Sequence, residues 1–256
     1  MPKLSGVTAV FPAYNDAGTI PSMVIMVLKA LPQVTDDYDV VVVNDGSQDY
    51  TGEVLAELAS VYPQLRVITH SQNRGYGATL RDGFGQAGKE WIFYTDGDAQ
   101  YDPHELVLLA QARRDDTDIV NGYKISRSDP LHRVIIGRLY HYLVKFVFGL
   151  PLRDTDCDFR LFRRNLIERV HLESDSGTIA LELVKKFHDA GAHFVEVPVH
   201  HYHRAYGQSQ FFNFRRLWRT AIQLSHLWWR LVVKADHRPA PAVTPTLDPD
   251  ESRRPL

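Results

Sequence analysis

Two carboxylates and a carboxamide fall within one turn at Asp96-Gly97-Asp98-Ala99-Gln100, directly after the apolar run Trp91 to Thr95. Hard oxygen donors on a tight loop suit Mg2+ or Mn2+, and an ion held by few protein oxygens keeps positions open for the phosphates of a diphosphate. Asp-Gly pairs are common turn formers, so without context the plain-turn reading is the stronger one. Asn44-Asp45-Gly46-Ser47 ends a second apolar run, Asp39 to Val43. Its Asp45 carboxylate suits a nucleobase N–H and Gly46 permits close backbone approach, while Asp49 or Thr51 suits a helix cap.

These residues need a frame. Val7 to Phe11, Asp39 to Val43, Arg66 to Thr69 and Trp91 to Thr95 are short apolar runs rich in β-branched or aromatic residues, and so predict buried strands. Helical patterns separate them: Gly52 to Tyr62 places Val54, Leu55, Leu58, Val61 and Tyr62 on one face, and others begin near Pro21, Tyr76 and Pro103. The alternation predicts an α/β fold, Rossmann-like, with a mostly parallel central sheet covered by helices on both faces. Ligands then bind beyond the C-terminal ends of the strands, where Tyr14-Asn15-Asp16, Asn44 to Ser47, Asn73 to Gly77 and Asp96 to Asp98 converge.

The chain has 256 residues, 44% hydrophobic and 23% charged, with a formal net charge of −2, which argues against a chain-wide nucleic-acid binder. A single cysteine, Cys157, and an N-terminus without a long apolar run fit a reducing cytosol. No run reaches the roughly 18 apolar residues of a membrane-spanning helix. The average hides two acid-free basic stretches rich in aromatics, between Asp129 and Asp154 and between Glu196 and Asp236. Leu131 to Phe148 sets Arg138, His141 and Lys145 against Ile136, Tyr140, Leu143 and Val147. Phe211 to Val233 sets Arg215, Arg219, Gln223, His226 and Arg230 against Phe214, Trp218, Ala221, Trp228 and Val232. Both read as basic amphipathic helices suited to an anionic membrane surface, or alternatively as helices packed on the domain with a solvated cationic face. The organisation expected is a domain over 1–210 that includes an interfacial helix at 130–150, a C-terminal amphipathic helix over 211–234, and a disordered Pro-rich tail over 235–256.

The ordered set Phe11-Pro12-Ala13-Tyr14-Asn15, Val43 to Ser47, Asn73-Arg74-Gly75-Tyr76-Gly77-Ala78 and Tyr94 to Gln100 resembles the family-2 glycosyltransferases of GT-A fold. The resemblance runs from about Val7 to Ser209, and its Asp-Gly-Asp-Ala-Gln form looks most like dolichol-phosphate mannose synthases and bacterial polyprenyl-phosphate glycosyltransferases. It implies that Pro12, Tyr14 and Asp45 hold the base and ribose of a nucleotide-sugar donor, Asp96 the donor, and Asp98 with Gln100 the Mg2+ or Mn2+. Ala13, Asp16, Asn73 and Gly77 complete the donor set. Asp16 departs from the usual glutamate and is equally suited to capping the following helix.

Asp154-Thr155-Asp156-Cys157-Asp158-Phe159-Arg160 occupies the place of the family's acceptor segment, with Cys157-Asp158 in place of Ser-Gly. Arg160 and Arg138 are the expected acceptor-phosphate ligands, with an internal ion pair to Asp156 or Asp158 as the bland reading of Arg160. Glu182 falls where the family places an acidic residue near the active site. His200-His201-Tyr202-His203-Arg204 resembles the donor-phosphate loop, with Arg204 as ligand; a zinc site is the alternative that spacing disfavours.

The function expected is inverting transfer of a hexosyl group from GDP-mannose or a UDP-sugar to a polyprenyl phosphate at the cytoplasmic membrane face, with Asp98 and Arg160 in the catalytic set. A separate membrane-anchor protein is a further conceivable partner. A hydroxyl acceptor on a cell-envelope glycan would need Asp158 or Glu182 as base. A non-catalytic nucleotide- or membrane-binding module is the third reading.

Overall fold

The computed structural model describes residues 2–125, 142–203, 214–235 and 237, with backbone alone for residues 214–217. Arg138, Arg204, the beginning of the 131–148 helix and the tail beyond residue 237 lie outside the described residues.

The four runs that open the chain become strands β1 (Val7–Ala13), β2 (Tyr38–Asn44), β3 (Leu65–Thr69) and β4 (Trp91–Thr95). Helices α1 (Ile20–Val34), α2 (Thr51–Val61) and α3 (Tyr76–Gly85) alternate with them. In α1 the buried Ile20, Met23, Val24, Val27, Leu31 and Val34 recur at the spacing of one helical face. A short 3-10 turn (Pro103–Glu105) leads into α4 (Leu106–Ala112) and β5 (Ile119–Lys124). The second half adds α5 (142–148), β6 (Phe159–Arg163), α6 (Asn165–Arg169), α7 (Ile179–Asp189) and β7 (Phe194–Val199). Helix α8 (Phe214–Trp228) closes the described chain and continues as a π-helical turn, Trp229–Lys234.

The seven strands form one sheet in the order β3-β2-β1-β4-β6-β5-β7. The β3-β2-β1-β4 half is parallel, as the alternation predicts, and so is the β5-β7 pair. Strand β6 runs antiparallel to both neighbours, joining the two parallel blocks. Successive side chains of a strand face opposite layers. Val7, Ala9, Phe11, Trp91 and Phe93 thus pack with α1, α2 and α4, whereas Val10, Ile92 and Tyr94 pack with α3, α7 and the C-terminal helix. Helix α3 lies close on the sheet because Gly83 has no side chain: a Cβ there would meet Val10 Cγ1 at 2.6 Å and Val43 Cγ2 at 3.3 Å.

Helix α8 is amphipathic, but its faces are not the ones expected. Leu227 and Leu231 are buried, with Leu224, Trp228 and Val232 packed beside them. Trp228 Nε1 donates to the Val147 carbonyl of α5 at 3.2 Å. Trp228 and Val232 therefore belong to the inner face, and a second apolar stripe of Trp218, Ile222, Trp229 and Val233 is exposed. On α5, likewise, Val144 and Phe148 turn inward while Tyr142, Leu143 and Phe146 are exposed.

Replacing Gly83 by leucine should force α3 off the sheet and lower stability by about 1–3 kcal/mol or more. Denaturant unfolding of the variant checks this.

Candidate active site

Every loop expected to carry chemistry leaves the same edge of the sheet. After β1, Asn15 adopts φ 56°, a left-handed conformation that asparagine tolerates, and stitches to the loop after β2. Its N–H donates to Ser47 Oγ at 2.9 Å and its Oδ1 accepts from Gln48 N at 2.8 Å. Asp16 N donates to Thr51 Oγ1 at 3.0 Å, and Ala17 N to Asp49 Oδ2 at 3.2 Å. Burial works to raise the Asp49 pKa, but hydrogen bonds from Thr51 and Ala17 outweigh it and leave it below the usual carboxylate value.

Asp16 does not cap α1 with its side chain. Its Oδ2 accepts the Tyr14 N–H at 3.0 Å, while its backbone carbonyl receives Thr19 and Ile20 N–H. The carboxylate faces Gly97, whose missing Cβ would stand 2.9 Å from the Pro12 carbonyl and 3.8 Å from Asp16 Oδ2. Pro12 and Ala13 are buried at the end of β1, whereas Tyr14 is exposed at the rim.

Asp45 is buried and organises the next loop. Oδ1 accepts from Arg74 N at 2.8 Å and lies 2.7 Å from His70 Nδ1; Oδ2 accepts from Gly75 N at 2.9 Å. His70 Nε2 reaches Asp82 at 2.9 Å, and Arg74 donates to the same Asp82 oxygen at 2.5 Å. The sequence reading missed His70, although it directly follows β3, at the same strand edge as the other site residues. Gly46, at φ 67°, fits here because a Cβ would lie 2.6 Å from the Gln72 carbonyl carbon. Asn73 is exposed at the loop tip. Gly77 is not open to a ligand as expected: its N–H donates to the Asp175 carbonyl at 3.0 Å, and a Cβ would collide with the Ser174 carbonyl.

The Asp96 to Gln100 turn carries a left-handed alanine, Ala99 at φ 59°, a strain of the kind that persists where surroundings over-determine a functional loop. Asp98 is nearly buried and its Oδ1 accepts from Gln100 N at 3.1 Å. Gln100 clasps the segment after β7: Nε2 donates to the Tyr202 carbonyl at 3.2 Å, and Tyr202 N donates to the Gln100 carbonyl at 2.8 Å. His200 pairs with Glu105 at 2.5 Å and His201 packs edge-on against Tyr101.

Asp96 accepts from Tyr76 Oη at 2.6 Å. Desolvation, then the charges of Asp158, Asp98 and Asp16, raise its pKa well above the carboxylate range. Asp158 is raised too, chiefly by burial, against the pull of Arg160 and Lys124. Like charges drawn together in a desolvated crevice fit a hard divalent cation. Among the described residues no three acidic, histidine or cysteine side chains form a metal site by themselves. Ligands from a bound diphosphate would complete the shell.

Two expected site residues have other work. Arg160 is fully buried: Nε donates to Asn121 Oδ1 at 2.6 Å, one terminal nitrogen donates to the Thr155 carbonyl at 2.7 Å, and the other donates to Tyr94 Oη and itself lies 3.5 Å from Asp158 Oδ1. It steadies Tyr94 and Asp158 from behind and does not reach a ligand phosphate in this arrangement. The expectation of direct contact is corrected toward the internal pairing. Glu182, also fully buried, accepts from Glu173 N and Ser174 N at 3.1 and 2.8 Å and pairs with Lys186 at 2.7 Å. A carboxylate so enclosed does not serve as a base. Tyr76, Tyr94 and Asn121 complete the site without having been foreseen; Tyr94, two residues before Asp96 in an otherwise apolar strand, was the available signal.

Asp156 is raised to about 6, mainly by burial against the opposing pull of Lys124. The folded form then holds more protons than the unfolded one between the ordinary aspartate value of 3.8 and about 6. Its contribution to stability therefore falls as pH rises through that window and is flat above it. Asp156→Asn should gain about 1–3 kcal/mol on wild type between pH 4 and pH 7, measured by denaturant unfolding at both pH values.

Residues 8–170 match the model of Glycosyl transferase family 2. An undecaprenyl-phosphate 4-deoxy-4-formamido-L-arabinose transferase of Yersinia enterocolitica is 28% identical over 211 residues, covering 82% of this chain and 63% of that protein. The Proteus mirabilis protein of the same name is 26% identical over 82% of this chain and 64% of its own length. The chain thus spans somewhat less than two thirds of these curated relatives. Glucosyl-3-phosphoglycerate synthase from Mycobacterium tuberculosis, solved with phosphoglyceric acid, superposes with a TM-score of 0.68 at 17% identity, covering 88% of this chain and 79% of that one. The match runs through the motifs that line the crevice and the fold agrees: the chain belongs to glycosyl transferase family 2 and has the GT-A architecture.

Proposed function

We propose that this chain is a metal-dependent, inverting glycosyltransferase that moves a hexosyl group from GDP-mannose or a UDP-sugar to a polyprenyl phosphate at the cytoplasmic face of a membrane. The observation that carries this reading is the convergence of Asp96, Asp98 and Asp158 at the mouth of β4, where desolvated like charges suit a cation and a diphosphate. The Yersinia and Proteus relatives are named as undecaprenyl-phosphate sugar transferases, and the mycobacterial synthase has been solved with Mn2+, UDP and glucosyl-3-phosphoglycerate. Both support the choice of donor and acceptor class.

Asp98 and the carboxamide oxygen of Gln100 would hold Mg2+ or Mn2+, which when bound offsets the charge of the leaving diphosphate. Asp45 fixes the loop 73–75 that borders the nucleotide end, and Tyr14 stands at its rim. Tyr76 orients Asp96 toward the donor. Arg160 holds Asp158 and Tyr94 in place, which leaves Arg138 as the cation assigned to the acceptor phosphate and Arg204 as that for the donor phosphates, both by family resemblance. A phosphate monoester, with a second pKa of about 6, is already anionic at neutral pH and attacks without a general base. Positioning and charge then account for the chemistry.

The exposed stripe of Trp218, Ile222, Trp229 and Val233, beside Tyr142, Leu143 and Phe146 on the adjoining helix, supports contact with the interfacial layer of a membrane. No helix among the described residues is long and apolar enough to cross one. A second reading rests on Asp158, whose raised pKa suits a base: transfer to a glycan hydroxyl.

Labelled sugar from a panel of GDP- and UDP-sugars should appear in polyprenyl phosphate with Mg2+ or Mn2+ and vanish with EDTA. Donor consumption without labelled lipid would move the acceptor to hydroxyl-bearing glycans. Asp98→Ala should lower turnover on the order of 10²-fold or more with unchanged thermal stability; an active variant would exclude the assigned role. The double variant Trp218→Ala, Trp229→Ala should co-sediment less with vesicles containing anionic lipid, and equal sedimentation would locate the membrane contact elsewhere.

A further inference from the structure

An ion-pair cluster outside the crevice joins the C-terminal helix to the loop that borders the nucleotide end. In the π-helical turn after α8, Arg230 pairs with Glu173 and lies 4.0 Å from Glu182. Lys186 of α7 sits between them, 2.7 Å from Glu182 and 3.3 Å from Glu173. The inner members, Lys186 and Glu182, are almost wholly buried. Charges desolvated in this way are screened far less than an exposed pair, so the outer pair acts on a stiff support.

From Glu182 the connection continues through the backbone. Its carboxylate holds Glu173 N and Ser174 N, so the carbonyls of residues 174 and 175 are presented to the start of α3. There the Asp175 carbonyl accepts from Gly77 N at 3.0 Å, and neither Gly75 nor Gly77 has room for a Cβ against this segment. Arg81 of α3 clamps the same segment through the Ser174 carbonyl and the Asp175 carboxylate. Gly75 N in turn donates to Asp45, and Tyr76 between the two glycines donates to Asp96. The chain of contacts thus runs through backbone hydrogen bonds, the Arg81 clamp and the carboxylates of Asp45 and Asp96.

We infer that Arg230 and Glu173 are positioning residues for the donor: by pinning segment 173–175 to the C-terminal helix, they set the Gly75-Tyr76-Gly77 turn against which the nucleotide binds. The inference rests on the nucleotide-sugar reading of the crevice. It makes the helix with the exposed aromatic stripe part of the donor site's support, so that displacement of that helix is felt as a change in nucleotide affinity.

The test is calorimetric titration of the full chain with UDP and with GDP, each with Mg2+, alongside thermal unfolding. Arg230→Ala and Glu173→Gln should each weaken the nucleotide that wild type binds by about 5- to 20-fold, the lower part of the range for coupled sites. Arg230→Lys, which keeps the charge, should stay within about 2-fold. Leu109→Ala, in the core on the opposite face of the sheet, controls for loss of stability alone and should leave affinity unchanged. Unchanged affinity in Arg230→Ala and Glu173→Gln, or a loss no greater than in Leu109→Ala, overturns the inference. If wild type binds neither nucleotide, the donor reading itself fails and the inference falls with it.

Discussion

The buried guanidinium of Arg160 is the interaction on which the two halves of the sheet and the site in front of them depend. It projects from β6, the strand that runs against both neighbours, and bonds to Asn121 on β5, Tyr94 on β4 and the Thr155 carbonyl. A charged group so enclosed is tolerable only when its donors are satisfied, and breaking such a set is costly. Burial works to lower its pKa, but Tyr94 and Asp158 outweigh that and hold it firmly cationic. It is also the fixed positive charge behind a crevice whose front is lined with carboxylates, which lets Asp158 approach Asp96 at all.

The loops around that crevice are held chiefly by carboxylates accepting backbone N–H groups. Asp45 takes two from the Arg74-Gly75 turn, Asp49 and Asp16 brace the loops after β1 and β2, and Glu182 takes two from segment 173–174. Such charge-assisted bonds are stronger than neutral ones and fix direction as well as distance. The consequence is a rigid rim at the nucleotide end, fitting a reaction in which positioning and charge carry most of the catalysis.

The protein also carries exposed aromatic side chains on two helices joined by the Trp228–Val147 hydrogen bond. The inward faces of those helices belong to the same core layer as α3 and α7, so a helix suited to an interface is continuous in packing with the layer that supports the crevice.

The sequence alone determined the first four strands and the crossover helices, because buried parallel strands and one-faced helices leave local periodic signals that no tertiary contact is needed to read. It also placed Asp45, Asp96, Asp98 and Tyr14 at the strand ends where ligands bind, since the fold turns chain order into a common edge. Tertiary structure decided which charged groups face a ligand. Arg160 and Glu182 look like site residues by family resemblance, yet burial encloses both, because β6 enters antiparallel between β4 and β5 and α7 covers segment 173–174. Gly77 was placed in the donor set and is instead a backbone contact for a segment about a hundred residues further along. The inner and outer faces of α8 differ by single positions, Trp228 inward and Trp229 outward, a distinction set by where the helix docks and not by its periodicity.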